Sequence, residues 1–209
     1  PIPICIVKDY HLPSFVNSKT VVIAVSCSGD TDETVHTVGE ALKFGASIAA
    51  ISSGGKLEEM SLRREVAHTR VKALRAPRSS LPYLFYPVAN ILRDMGLLKG
   101  LEGELSQSVE AVENMKSLIN IQAPVRRNPA KRLANWVYNR LPVVYASQLL
   151  RGSALRFKNS LNENAKMHAL VDILPELCHN DIEAWTRSKE EAYKPVFLRY
   201  QQEPLEVQE

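Results

Sequence analysis

Val21-Val22-Ile23-Ala24-Val25-Ser26-Cys27-Ser28-Gly29-Asp30-Thr31-Asp32-Glu33-Thr34 decides how this chain folds. It opens with an apolar, largely β-branched run, the pattern of a strand buried on both faces. The run ends in a hydroxyl-rich turn. Beyond the turn, Val35, Val38 and Leu42 recur at helical spacing. A strand that feeds a helix through such a turn leaves free backbone N–H groups and the positive end of the helix dipole at its carboxyl end. A phosphate group needs convergent donors of that kind. Ser26, Ser28 and Thr31 add hydroxyls, and Gly29 lets the backbone approach closely. Plain capping by Asp30 or Thr31 accounts for the same residues. On the residues alone, phosphate binding and capping stand level.

Working outward, strands and helices alternate. A strand over 20–26 and a helix over 30–44 are followed by Gly45, placed where a helix-ending glycine belongs. A strand over 47–52, a Gly54-Gly55 turn, a helix over 57–67 and a strand over 70–74 come next, before Pro77. This alternation predicts a parallel sheet covered by helices. Residues 83–92 read as a buried helix, with Pro82 in its first turn and Pro87 kinking it or delaying its start. Leu105, Val109, Val112 and Ile119 give a helix over 101–120 an apolar face suited to another domain or subunit. Residues 123–129 read as a linker. The opening pattern then restarts near Ala130: a strand over 141–147 ends in Ser147, a helix covers 152–161, and 196–199 is strand-like. The expected class is α/β, with one domain over 1–122 and a second over 123–209.

Composition sets bounds. The 209 residues are 45% hydrophobic and 23% charged, ordinary for a globular chain. A net charge of +3, from 26 basic and 23 acidic residues, is too small and dispersed to point to nucleic acid or an anionic membrane. No apolar run is long enough to span a membrane as a helix. Cys5, Cys27 and Cys178 are odd in number and far apart, which argues for a reducing, cytoplasmic setting. His11, His36 and His68 show no ligand spacing, so no metal and no cofactor is expected. His168 reads as structural. The start at Pro1 and the charged stretch 201–209 read as the ends of a piece of something longer.

Five segments carry a resemblance. Ser26-Cys27-Ser28-Gly29-Asp30-Thr31, with Glu33-Thr34 after it, resembles the phosphate turn of sugar isomerase (SIS) domains. That signature is shared by many sugar-phosphate proteins. Ser52-Ser53-Gly54-Gly55-Lys56-Leu57, Pro77-Arg78, Glu163-Asn164-Ala165-Lys166 and Pro175-Glu176-Leu177-Cys178-His179-Asn180 follow in the order seen in archaeal-type bifunctional phosphoglucose/phosphomannose isomerases. The last two segments are the more specific. The resemblance covers essentially the whole chain. It implies two SIS-type units of flavodoxin-like, three-layer α-β-α architecture, the second incomplete at its C-terminal end.

The resemblance also implies a reaction and roles. Glucose 6-phosphate and fructose 6-phosphate would interconvert through a cis-enediolate, with mannose 6-phosphate left open as a further substrate. Glu163 would shuttle the proton between C1 and C2 from within a cleft, where burial raises a carboxylate's pKa. His179 would open the sugar ring and Arg78 would stabilise the enediolate. Ser26, Ser28 and Thr31 would hold the phosphate, while Gly29, Ser52, Ser53 and Gly54 would line the substrate pocket. The histidine is contributed by the neighbouring subunit in several such isomerases, so a homodimer with shared active sites is implied, without metal or organic cofactor. Each residue also has a plainer reading. Glu163 suits a solvated helix end paired with Lys166, His179 a helix start beside Asn180-Asp181, and Arg78 an exposed basic stretch with Arg70, Lys72 and Arg75. The alternatives for the whole chain are a non-catalytic sugar-phosphate-binding regulatory SIS module and, third, an amino-sugar isomerase or synthase domain. Cys27 and Asp30 stand where tyrosine and asparagine are more usual, and Asp181 where glutamate is. A Gly-Gly-Ser segment expected before Pro1, and a lysine and a threonine expected after Glu209, fall outside this sequence.

Overall fold

The computed structural model describes residues 2–64, 66–187 and 192–208. Pro1, Glu65, 188–191 and Glu209 lie outside the described residues, and with them the first residue of the N-terminal stretch and one position of the expected second helix. The chain divides into two compact units, Pro1–Leu105 and Ser106–Glu209.

In the first unit, β1 (Val21–Val25) leads through the hydroxyl-rich turn into α1 (Asp32–Lys43). Asp32 and Glu33 sit in the first turn of α1 and Lys43 in its last, each sign at the helix end that favours it. Gly45, at φ 70°, stops the helix in the left-handed region. The chain returns as β2 (Ser47–Ser52), crosses again through α2 (Gly55–Arg64) and adds β3 (Ala67–Arg70). The strand order is β1-β2-β3, all parallel, with Val21 opposite Ser47 and Val25 opposite Ile51. Ala24, Val38 and Leu57 form a core with Val35, Leu42, Ile48 and Met60, which packs α1 and α2 against β1 and β2. The unit continues into α3 (Leu81–Asp94) and the start of α4 (Leu101–Leu118).

The second unit centres on β4 (Leu141–Ser147), preceded by α5 (Pro129–Val137). Then come α6 (Arg151–Ser160), a π turn Leu161–Ala165, β5 (Leu170–Leu174), a 3-10 turn Glu176–Cys178, α7 (Asp181–Ala184) and β6 (Tyr193–Leu198). The order is β5-β4-β6, again all parallel. The central strand is covered on both faces. Val144 and Ala146 pack with Val137, Ala154, Phe157 and Val196. Val143 and Tyr145, pointing the other way, pack with Leu177, Trp185 and Tyr193. This is the expected α/β class, with parallel sheets flanked by helices.

Four local expectations change. β3 lies earlier than 70–74, because the crossover through α2 is short and the edge strand needs only one half-buried residue, His68. α2 starts at Gly55 rather than Leu57, the two glycines forming the bend that launches it. α3 runs through Pro87, and among its described residues only Ala89 is buried, while Leu81, Tyr83 and Phe85 are exposed. The stretch read as a linker is ordered. Asn128 is fully buried; its side chain accepts from Lys131 N at 3.0 Å and donates to the Asn120 carbonyl at 3.1 Å.

Candidate functional site

Two turns meet at the carboxyl ends of β1 and β2. Ser53 donates to the Cys27 carbonyl through both its N–H, at 3.0 Å, and its hydroxyl, at 2.7 Å. Leu57 N donates to the Gly29 carbonyl at 3.0 Å. The contact leaves no room for side chains. Gly29 has φ 84°, and a Cβ there would sit 1.8 Å from the Gly54 carbonyl oxygen. Gly55 has φ 70°, and a Cβ on it would lie 2.8 Å from Asp30 Oδ1. The requirement for glycine is steric as well as conformational.

The hydroxyls differ in how far the corner itself engages them. Ser26 Oγ accepts from Gly29 N at 3.0 Å and lies 2.7 Å from Thr31 Oγ1. One of these two hydroxyls donates to the other, so one hydroxyl proton of the pair is left uncommitted by that contact. Ser28 Oγ accepts from Asp30 N at 3.2 Å. Ser52 is different. It is fully buried, donates to the Gly54 carbonyl at 2.8 Å and lies 2.9 Å from His68 Nε2. With its single proton committed, the network assigns the Nε2–H tautomer to His68, which donates to Ser52. Ser52 and Ser53 therefore shape the corner through the backbone. Sequence reading left His68 without a role; its partner lies on the neighbouring strand, and placing β3 too late hid the pairing.

The helix ends behind the corner are not equivalent. At α2, Lys56 N donates to Asp30 Oδ1 at 3.0 Å, so Asp30 closes that end. At α1, the N-cap residue Thr31 is extended and its side chain makes no capping hydrogen bond. The Asp30 carboxylate, whose charge would oppose a phosphate, is thus engaged by the neighbouring helix. Asp32, in the first turn of α1, faces Lys56 Nζ at 3.8 Å.

In the second unit, Glu163 sits in the π turn that ends α6, and its side chain is exposed. The cleft burial expected for it is absent in this single chain. Lys166, in the left-handed conformation at φ 57°, donates through Nζ to the Glu163 carbonyl at 2.7 Å rather than to its carboxylate. His179 closes the 3-10 turn Glu176–Cys178, after β5, and is exposed. Glu163 precedes β5 and His179 follows it, so the strand stands between them. Its five residues extend about 13 Å at the usual rise. Arg78 belongs to a separate 3-10 turn, Pro77–Ser79, in the first unit, and is exposed. The loop carrying His179 is tied to the sheet. Tyr145 donates to Asp181, and Trp185 Nε1 donates to the Tyr145 hydroxyl at 2.6 Å. Burial, and then the hydrogen bond to Asp181, raise the Tyr145 hydroxyl well above the ordinary tyrosine range.

A family model described as the bacterial phospho-glucose isomerase C-terminal SIS domain matches residues 126–209. The bifunctional phosphoglucose/phosphomannose isomerase of Caldicellulosiruptor bescii is 34% identical over 182 residues, which are 87% of this chain and 54% of that protein. Over most of its length the chain is similar to this isomerase family. It spans about half the length of the curated relatives it matches. The relatives do not all carry one name. A relative named D-glucosamine-6-phosphate 4-epimerase, from Sulfolobus acidocaldarius, is 32% identical over 184 residues, 88% of this chain and 56% of that protein. Among solved structures, the tagatose-6-phosphate ketose/aldose isomerase of Escherichia coli superposes with TM-score 0.62 at 15% identity, over 88% of this chain and 50% of that one. That likeness is one of fold.

Proposed function

We propose that the chain carries the catalytic core of an aldose–ketose isomerase acting on hexose 6-phosphates, interconverting the glucose and fructose forms. The observation that carries this reading is the asymmetry of the two helix ends. Asp30 closes α2, whereas α1 keeps its first-turn N–H groups free of a side-chain cap beside one spare hydroxyl proton and Ser28. A phosphate bound there gains convergent donors and the dipole of α1.

Each step then has a residue. His179 passes the proton between the anomeric hydroxyl and the ring oxygen, which opens the ring. Glu163 removes the C2 proton of the aldose, acidified by the C1 carbonyl. Arg78 faces the negative charge that develops on the enediolate oxygens. The O2 hydroxyl proton passes to O1, and Glu163 returns the carbon-bound proton to C1, giving the ketose. Glucose and mannose 6-phosphates differ only in configuration at C2 and share this enediolate, so returning the proton to either face of C2 yields one or the other. The position of β5 between Glu163 and His179 supports a homodimer in which each site takes the two residues from different copies. Sugar-phosphate chemistry and three dispersed cysteines fit a cytoplasmic protein.

The test is incubation with fructose 6-phosphate in deuterated water, followed by proton NMR. Isomerisation places deuterium at C1 of the ketose and C2 of the aldose, which removes those proton signals, and Glu163→Gln abolishes both exchanges. Inversion at C4 without exchange at C1 or C2 would instead assign the reaction carried by the epimerase relative. Absence of any conversion, in a protein carrying this sequence and binding the sugar phosphate, would overturn the enzymatic reading.

A further inference from the structure

Away from the phosphate corner, the N-terminal segment is fastened to α1 through one side chain, Glu40. Its Oε2 accepts from Leu12 N at 2.8 Å, which fixes the carboxylate's orientation. Its Oε1 then faces two imidazoles, with His11 Nδ1 at 2.8 Å and His36 Nε2 at 3.6 Å. The two rings stand 5.4 Å apart at 90°. The three ligand atoms lie within 4.8 Å of one another.

We propose that His11, His36 and Glu40 form a binding site for a first-row divalent metal ion of the zinc class, which staples the N-terminal segment to α1. The donor set decides the ion class. Two imidazole nitrogens and one carboxylate oxygen suit zinc, cobalt or nickel, whereas magnesium and calcium favour oxygen donors throughout. His11 hydrogen-bonds Glu40, but the spacing of His36 and Glu40 is that of two ligands of one ion. A tetrahedral zinc with ligands at about 2.0–2.1 Å holds them about 3.3 Å apart. The His36–Glu40 separation of 3.6 Å is too long for a hydrogen bond and close to that figure. His36 and Glu40 are one helical turn apart on α1, so their spacing is set by the helix. The exposed His11 side chain is free to adjust. The bond from Leu12 N–H orients the carboxylate from outside, as groups behind a metal's own ligands do. Three protein ligands leave a fourth position for water.

Titration of the chain with Zn2+ by calorimetry, and with Co2+ by absorption spectroscopy, tests this. One equivalent of Zn2+ is expected to bind, with affinity falling at least about tenfold in His11→Ala, in His36→Ala and in Glu40→Gln. His168→Ala is expected to bind as the parent does. The Co2+ complex should show no thiolate charge-transfer band, and amide exchange at Leu12 should slow when Zn2+ is bound. Circular dichroism checks that each variant is folded; both histidines are exposed, so they should be. Unchanged affinity in the His36→Ala variant, a sulfur-to-metal band, no binding at millimolar Zn2+, or unaltered exchange at Leu12 would each overturn the site as described.

Discussion

At the residue scale, Tyr145 links the packed centre of the second unit to the loop that carries His179. Its raised hydroxyl sets a direction for the pH dependence of stability. The unfolded chain releases a tyrosine proton near about pH 10, while folded Tyr145 still holds its own. The stability this proton contributes is complete below about pH 10 and declines as pH climbs from there toward the folded value. Tyr145→Phe is therefore expected to do two things. At neutral pH it lowers stability by about 1–3 kcal/mol, because Asp181 and the Trp185 indole lose their partner. Above about pH 10 its stability falls less steeply than the parent's. Urea unfolding of both proteins from about pH 8 to about pH 11 measures each effect, and parallel curves would contradict the second. Asp181 itself shows the limit of reading residue types. As a departure from a more usual glutamate it is mild, and only the fold reveals that it reaches a tyrosine on the central strand.

At the scale of elements, Asp30 belongs to the turn after β1 but closes α2. Asp30→Ala is expected to cost about 1 kcal/mol in thermal or urea unfolding, the usual loss for a helix cap. Asp30→Asn keeps an acceptor for Lys56 N and should retain most of that stability. If both variants matched the parent, the cap would contribute nothing. β2 and β4 were legible residue for residue, since each is an apolar run ended by a hydroxyl turn and buried on its inner positions. β3 was not. An edge strand with one half-buried residue carries no such run, and the apolar Val71 and Leu74 beyond it drew the reading downstream. The resemblance located the corner's serines, but not their division of labour. Which hydroxyl is spent on a backbone carbonyl and which is left over depends on where the second turn lies against the first. The His11–His36–Glu40 cluster was invisible for a related reason. One histidine comes from an irregular segment and the other from a helix, so only the His36–Glu40 pair, one helical turn apart, is written in the spacing along the chain.

For the whole molecule, the placement of Glu163 and His179 on either side of β5 has a stoichiometric consequence. Suppose each site draws Glu163 from one copy and His179 from the other. A dimer of one Glu163→Gln chain and one His179→Asn chain then has one site with both lesions and one intact. Random reassociation makes half the dimers mixed, so equal amounts of the two inactive variants should regain about a quarter of the parent activity. Denaturing and refolding the variants together, then assaying turnover, gives the answer. Failure to regain activity in demonstrably mixed dimers would place both residues in a site built from one chain. The apolar residues Val109, Val112, Met115 and Ile119 stay exposed on or just beyond α4 in the single chain.

The interlock of Gly29, Gly54 and Gly55 also constrains how this corner can drift over evolutionary time. A methyl group at position 29 strikes the Gly54 carbonyl, and one at position 55 crowds the carboxylate of Asp30. Substitutions here are not independent events, since neighbours in direct contact couple strongly. A lineage that loses either glycine must reshape the opposite turn in the same step or pass through a protein with a sprung corner. Selection on folding alone would then preserve this geometry whether or not a ligand occupies the corner.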